Sequence, residues 1–250
     1  MKMRILSTTL LASMAFSAQA DTLGVKIGGG LWDHDPSGKF RYKSTLGTDD
    51  IDLNSDLHLK SDKEGYFFVV IEHPIPVLPN LRVMSTALKS HGEGAVSKTF
   101  TFNNVSYTVS ENVITDLKLD QTDFTLYWEL LDNVVSLDLG LNVKNLDGEA
   151  KLVGATAGTN TATFDVYIPM LYASVGVSPM EGLFIGAEAS YIGYDGNSLT
   201  DFTAKIAYSS DFLIGIEAGV RTQTYELDDV DNSYGDMEFS GPFVGAYLHF

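Results

Sequence analysis

Three features of the sequence predict an all-β fold, specifically a transmembrane antiparallel up-and-down β-barrel of about ten strands. Alternating apolar and polar residues recur in segment after segment, and short connections alternate with long polar ones. Beyond the first twenty residues no apolar run approaches the roughly 20 residues that a helix needs to cross a bilayer. A chain that crosses a membrane without such helices must do so with strands, since backbone polar groups cannot be left unpaired in hydrocarbon.

Residues 1–20 read as a secretory signal peptide, with basic Lys2 and Arg4, an apolar stretch from Ile5 to Phe16, and a small-x-small site at Ala18-Gln19-Ala20. The expected organisation is therefore a signal peptide at 1–20 and one barrel domain at 21–250. Loss of Lys2 and Arg4 takes the formal charge from −17 to −19, which argues against nucleic acid as a partner. The chain has no cysteine, so disulfides and thiolate metal sites are excluded.

In the first strand Leu23, Val25, Ile27, Gly29 and Leu31 alternate with Gly24, Lys26, Gly28, Gly30 and Trp32, and a long acidic connection is expected from Asp33 to Lys63. A second strand, Gly65 to His73, is cut by the proline-rich turn Pro74 to Asn80, and Leu81 to Lys89 alternates again. Gly92 to Val113 is polar, with a small hairpin expected around Asn103-Asn104. The clearest alternation lies in Leu117 to Leu131 and Val134 to Leu146, separated only by Asp132-Asn133. Asp147 to Thr161 reads as a loop, and the strand from Thr163 to Val177 changes phase near Pro169, where a bulge is expected. Turns at Pro179 to Gly182, Asp195 to Asn197 and Ser210-Asp211 separate three further strands. An acidic loop, Glu226 to Asp236, precedes the terminal strand Met237 to Phe250. Short connections follow strands 2, 4, 6 and 8, and the one after strand 7 is short as an exception; the alternation places both termini at the short-turn end.

The glycine-rich run Gly28 to Trp32, the turn Glu72-His73-Pro74-Ile75-Pro76-Val77-Leu78-Pro79-Asn80, the segment Tyr127 to Gly140 and the ending Gly241 to Phe250 resemble a family of small outer-membrane β-barrels of Gram-negative bacteria with no settled function. That resemblance implies the outer membrane as location and its lipid bilayer as surroundings. It also implies that Ala246, Leu248 and Phe250 in the closing strand form the signal read by the outer-membrane assembly machinery. No catalytic motif comes with it.

Parity turns several charges inward. Counting across the turns sets Glu72 opposite Arg82, Lys205 near Glu217, Glu188 near Lys205, and Arg221 one inward step pair from Glu217. Opposed charges in a narrow lumen should pair, giving a salt-bridged filling or a narrow charge-selective path. Asp229 to Gly235 begins like an EF-hand loop, but its glycine falls one place late and Ser240 stands where a bidentate Glu is required. No metal site or cofactor is expected; loose divalent binding by Asp228, Asp229 and Asp231, or by Asp49, Asp50 and Asp52, is the lesser reading. Asp33-His34-Asp35 and Asp56-Leu57-His58 place acids beside bases in the first external connection. Omptin-type proteases resemble the chain in strand number but spread two residue pairs over separate loops, and no second site is visible here. The expectation is thus a non-enzymatic barrel, structural or a narrow pore for small solutes, with an outer-membrane protease or lipid-modifying enzyme as the alternative.

Overall fold

The computed structural model describes residues 23–44 and 50–250; the signal peptide and Asp49 lie outside them. In chain order the strands are β1 (Gly24–Tyr42), β2 (Ile51–Asp52), β3 (Asp62–Glu72), β4 (Asn80–Thr86), β5 (Lys89–Ala95), β6 (Phe100–Phe102) and β7 (Val105–Tyr107). They continue as β8 (Asn112–Asp132), β9 (Val135–Gly154), β10 (Gly158–Met180), β11 (Leu183–Tyr194), β12 (Asn197–Ser209), β13 (Ile214–Val230) and β14 (Ser233–His249).

Ten positions form an antiparallel up-and-down ring. β8 to β14 follow one another, β4 and β5 share one position beside β8, β3 pairs β4, and β1 pairs both β3 and β14. The seam is closed to the last residue, with Val25 and Phe250 exchanging backbone hydrogen bonds of 3.2 and 2.9 Å. Ala246 lies opposite Gly29, and Leu248 opposite Ile27.

Outward residues are apolar around the ring. Leu81, Leu126, Leu141, Leu171 and Tyr191 form one lateral row through successive cross-strand pairs. Leu141 and Leu171 are 55% and 66% exposed, a belt that water would penalise and lipid would not. The inward face is polar and aromatic. Because side chains alternate with period two, this one parity decides every residue's surroundings. It also sorts the aromatic residues: Trp128, Tyr191, Tyr194, Phe212 and Phe250 are outward, whereas Trp32, Tyr66, Tyr172, Tyr225, Phe239 and Tyr247 fill the lumen.

Three expected connections are strand instead. β1 runs on to Tyr42 because Asp35 to Tyr42 keep pairing with β14. The expected loop at Asp147 to Thr161 is the upper part of the β9–β10 hairpin, and that at Glu226 to Asp236 is the end of the β13–β14 hairpin. Polar composition there marks strand ends beyond the apolar belt, since pairing satisfies the backbone whether or not side chains are apolar. Pro169 carries no bulge. It pairs with Val143 in unbroken register and sits beyond the end of the β11 ladder, which begins at Leu171. The irregularity falls between Val177 and Met180 instead.

The small hairpin is present as β6 and β7, with Asn103 and Asn104 both at positive φ as a tight primed turn requires. It belongs to a second apolar core at the loop end. There Ile51, Leu53, Leu57, Leu59, Phe100, Phe102, Tyr107 and Leu152 are buried together as a cap. Glu111 fixes this cap to the β9–β10 tip by accepting N–H bonds from Thr156 (2.6 Å) and Ala157 (2.8 Å).

Candidate functional site: a charged lumen with a vestibule

The barrel interior is layered. At mid-height Lys144, on the inward face of β9, is fully buried and donates to Gln121 Oε1 (2.9 Å), Asp123 Oδ2 (2.9 Å) and Asp201 Oδ2 (3.0 Å). Arg221 on β13 holds the same Asp201 with two bonds, Nε to Oδ1 at 2.9 Å and Nη2 to Oδ2 at 2.6 Å. It also donates to Thr86 Oγ1 (2.9 Å) and lies over the Trp32 ring, 5.1 Å from its centroid. The Gln121 and Gln223 side-chain amides exchange two bonds of 2.8 Å. Such planar, charge-assisted pairing is the geometry in which buried charges are tolerated. The network ties β1, β4, β8, β9, β12 and β13 together across the lumen.

Beneath it is a second ionic layer. Arg82 meets Glu188 at 2.8 Å, while Lys205 lies 3.4 Å from Glu188 and 3.9 Å from Glu217. Tyr66 donates to Glu217 at 2.7 Å. Voids flanking Arg221 measure about 20 and 30 Å³, room for about one or two waters each. Toward the short-turn end the lumen widens into a cavity of about 530 Å³, near whose mouth Lys26 meets Glu72 at 3.1 Å and Tyr127 donates to Glu72 at 2.9 Å.

The structure therefore brings Lys205 beside both Glu188 and Glu217. It does not join Glu72 to Arg82. Arg82 lies opposite Val70 in the β3–β4 register, and its long side chain crosses to Glu188 while Glu72 turns to Lys26 on β1. Arg221 likewise reaches Asp201 rather than Glu217. Counting across single turns finds neighbours on adjacent strands, whereas guanidinium groups in a closed ring bridge strands that are far apart in that count. Lys144, Asp123 and Asp201 went unnoticed in the sequence, although their inward parity was legible and Asp123 falls opposite Lys144 across the Asp132-Asn133 turn.

The histidines expected in an external connection are placed differently. His34 is wholly buried in β1, its ring 5.1 Å from Trp32 and 6.2 Å from Phe239, with neither ring nitrogen hydrogen-bonded. His58 donates from Nε2 to the Ala95 carbonyl at 2.9 Å in the cap. In the neighbouring acid sequence, Asp56 accepts from Asp52 N–H (2.9 Å) and the Ser97 hydroxyl, and lies 3.6 Å from Lys98 Nζ. Among the described residues no group of three or more His, Asp or Glu side chains gathers as a metal site would.

An apolar outer belt, a closed ten-strand ring and a charged interior define the class of up-and-down barrels built on the plan of membrane-spanning strands. Among solved structures, the chain is similar to the outer membrane protease OmpT from Escherichia coli, with a TM-score of 0.57 at 10% identity, covering 93% of this chain and 99% of that one. It also matches, at lower TM-scores, the transport unit of the autotransporter AIDA-I from Escherichia coli (0.41, 13% identity, 96% and 94% covered) and OprG from Pseudomonas aeruginosa (0.36, 9% identity, 91% and 96% covered). At these identities the likeness to OmpT carries the fold alone. No protein-family model and no curated protein matches the sequence.

Proposed function

We propose that the chain, after removal of residues 1–20, is a non-enzymatic structural barrel of the Gram-negative outer membrane that does not conduct. Its short turns face the periplasm, and Ala246, Leu248 and Phe250 present the closing strand to the assembly machinery. In the proline-rich turn, His73 N–H donates to Asn80 Oδ1 at 3.0 Å and closes the chain around Pro74 to Pro79.

The observation that carries the non-conducting reading is the buried net of Lys144, Asp123, Asp201 and Arg221 across the lumen. An ion passing there must break bonds that balance two buried bases against two buried acids, a cost of several kcal/mol. Above the net the Trp32, His34 and Phe239 layer and the apolar cap add further barriers. Purified protein in planar bilayers is expected to stay silent at all voltages. Reproducible current steps that change when Lys205→Gln or Glu217→Gln is introduced would establish the narrow-pore reading instead. Turnover of a peptide or lipid that His34→Ala and His58→Ala abolish would overturn the non-enzymatic one.

A further inference from the structure

The cavity at the short-turn end is blind, floored by the Arg82–Glu188–Lys205 layer, and its volume of about 530 Å³ falls in the range of small-ligand sites. Its charges do not cancel. Each of its three bases is within ion-pair distance of an acid: Lys26 of Glu72, Arg82 of Glu188, and Lys205 of Glu188 and Glu217. His73 adds no charge, because Nδ1 accepts the Ile75 N–H and Nε2 donates to the Pro79 carbonyl, the bonding of a neutral imidazole.

Glu129, Asp132 and Asp138, which also line the cavity, are left over: among the described residues none has a base within ion-pair distance, and the nearby Lys26 is already paired with Glu72. Glu129 and Asp138 stand directly opposite one another on β8 and β9. Like charges in that relation are unfavourable, and their hydrogen-bond partners, Asn80 and Ser174, are neutral. Deeper in the same lumen the chain does the reverse, setting Asp123 and Asp201 against Lys144 and Arg221. On the way to the floor, Tyr127 and Tyr172 form one wall with ring centroids 6.0 Å apart, and Phe68 and Tyr247 form another at 6.4 Å.

We propose that this vestibule binds a small organic cation of the alkylamine or polyamine class. An ammonium group would sit between the Glu129 and Asp138 carboxylates, with its methylene chain along the tyrosine wall. The sign of the ligand follows from which lining charges lack a counterpart. Its organic character follows from the aromatic walls, which attract ammonium groups and apolar chain together, and from the lack of a metal-holding cluster among the described residues. Binding in a blind pocket is independent of whether the plug above it passes ions.

The test is calorimetric titration of the folded full-length protein in detergent with spermidine, at fixed ionic strength. Saturable binding is expected, weakened by about tenfold or more in Glu129→Gln/Asp138→Asn and unchanged in the loop variant Asp228→Asn/Asp229→Asn. Magnesium at the same ionic strength is expected to displace spermidine poorly. The single variant Asp138→Asn gives the same reading should the double variant not fold. No saturable heat, equal affinity in the vestibule variants, or displacement by magnesium as effective as by a second amine would each overturn the proposal. The last of these would leave the mouth as an ordinary acidic surface.

Discussion

Lys144 on β9 and Asp201 on β12 meet at 3.0 Å across the lumen, although two strands separate theirs around the ring. The bond is possible because a ten-stranded ring is narrow enough for side chains to span. It converts a wall-to-wall gap into a crosslink that spans the lumen.

Removing that lysine tests the crosslink. Lys144→Ala strands Asp123 without its base, and breaking a buried ion pair in this way costs about 3–5 kcal/mol. The expected outcome is a lower urea midpoint for unfolding from lipid vesicles, with small current steps in planar bilayers where the intact protein is expected to be silent. An unchanged midpoint would show that the network contributes nothing net.

The outward belt makes a separate demand. Leu141 is at the middle of the lateral leucine row, flanked by Leu126 and Leu171, and Leu141→Arg is expected to cost about 2–4 kcal/mol of folding into a bilayer. Equilibrium folding into vesicles measures this directly. Tolerance of the arginine would mean that the row does not face hydrocarbon.

The seam between first and last strand depends on two glycines. Gly30 lies opposite Gly245, and the Tyr66 ring lies over the flat patch they leave while its hydroxyl reaches Glu217. A Cβ on Gly30 would fall 2.6 Å from the Gly245 Cα and 2.7 Å from the Tyr66 hydroxyl, so backbone must move to admit it. Gly30→Val is expected to lose the heat-modifiable gel shift of a closed barrel, whereas Gly65→Ala, whose Cβ would meet nothing closer than 4.0 Å, is expected to keep it.

The cap should loosen in acid. The N–H groups of Ala157 and Thr156, then that of Thr108, hold the Glu111 carboxyl below the ordinary carboxylate range. The Ser55 and Asn54 N–H groups do the same for Asp52. A depressed folded value means that the stabilisation is complete above the unfolded value, about 4.3 for Glu, and disappears as pH falls through the folded one. The protection of the Thr156 and Ala157 amides, measured against their intrinsic exchange rate at each pH, should therefore be high at pH 7 and drop below about pH 4. Glu111→Gln should show less protection at pH 7 and lose most of that pH dependence.

Much of this architecture was readable from residue order. Strand parity placed Leu126, Leu139 and Leu141 outward and Lys205, Glu188 and Glu217 inward, because period-two alternation is a local property of the chain. The Asn103-Asn104 hairpin was equally local. Strand ends were not: Asp33 to Tyr42 and Asp147 to Thr161 carry loop-like composition, yet they are strands because a neighbour supplies their hydrogen bonds.

By itself the sequence determined strand number, the short-turn side and which face of each strand points outward, since these follow from spacing along one dimension. Only the closed ring decided that Arg82 chooses Glu188 over Glu72, that Arg221 and Lys144 converge on Asp201, and that Glu129 and Asp138 face one another without an ion pair. Long charged side chains pair by distance across a lumen, and distance across a lumen exists only once the first strand has met the last.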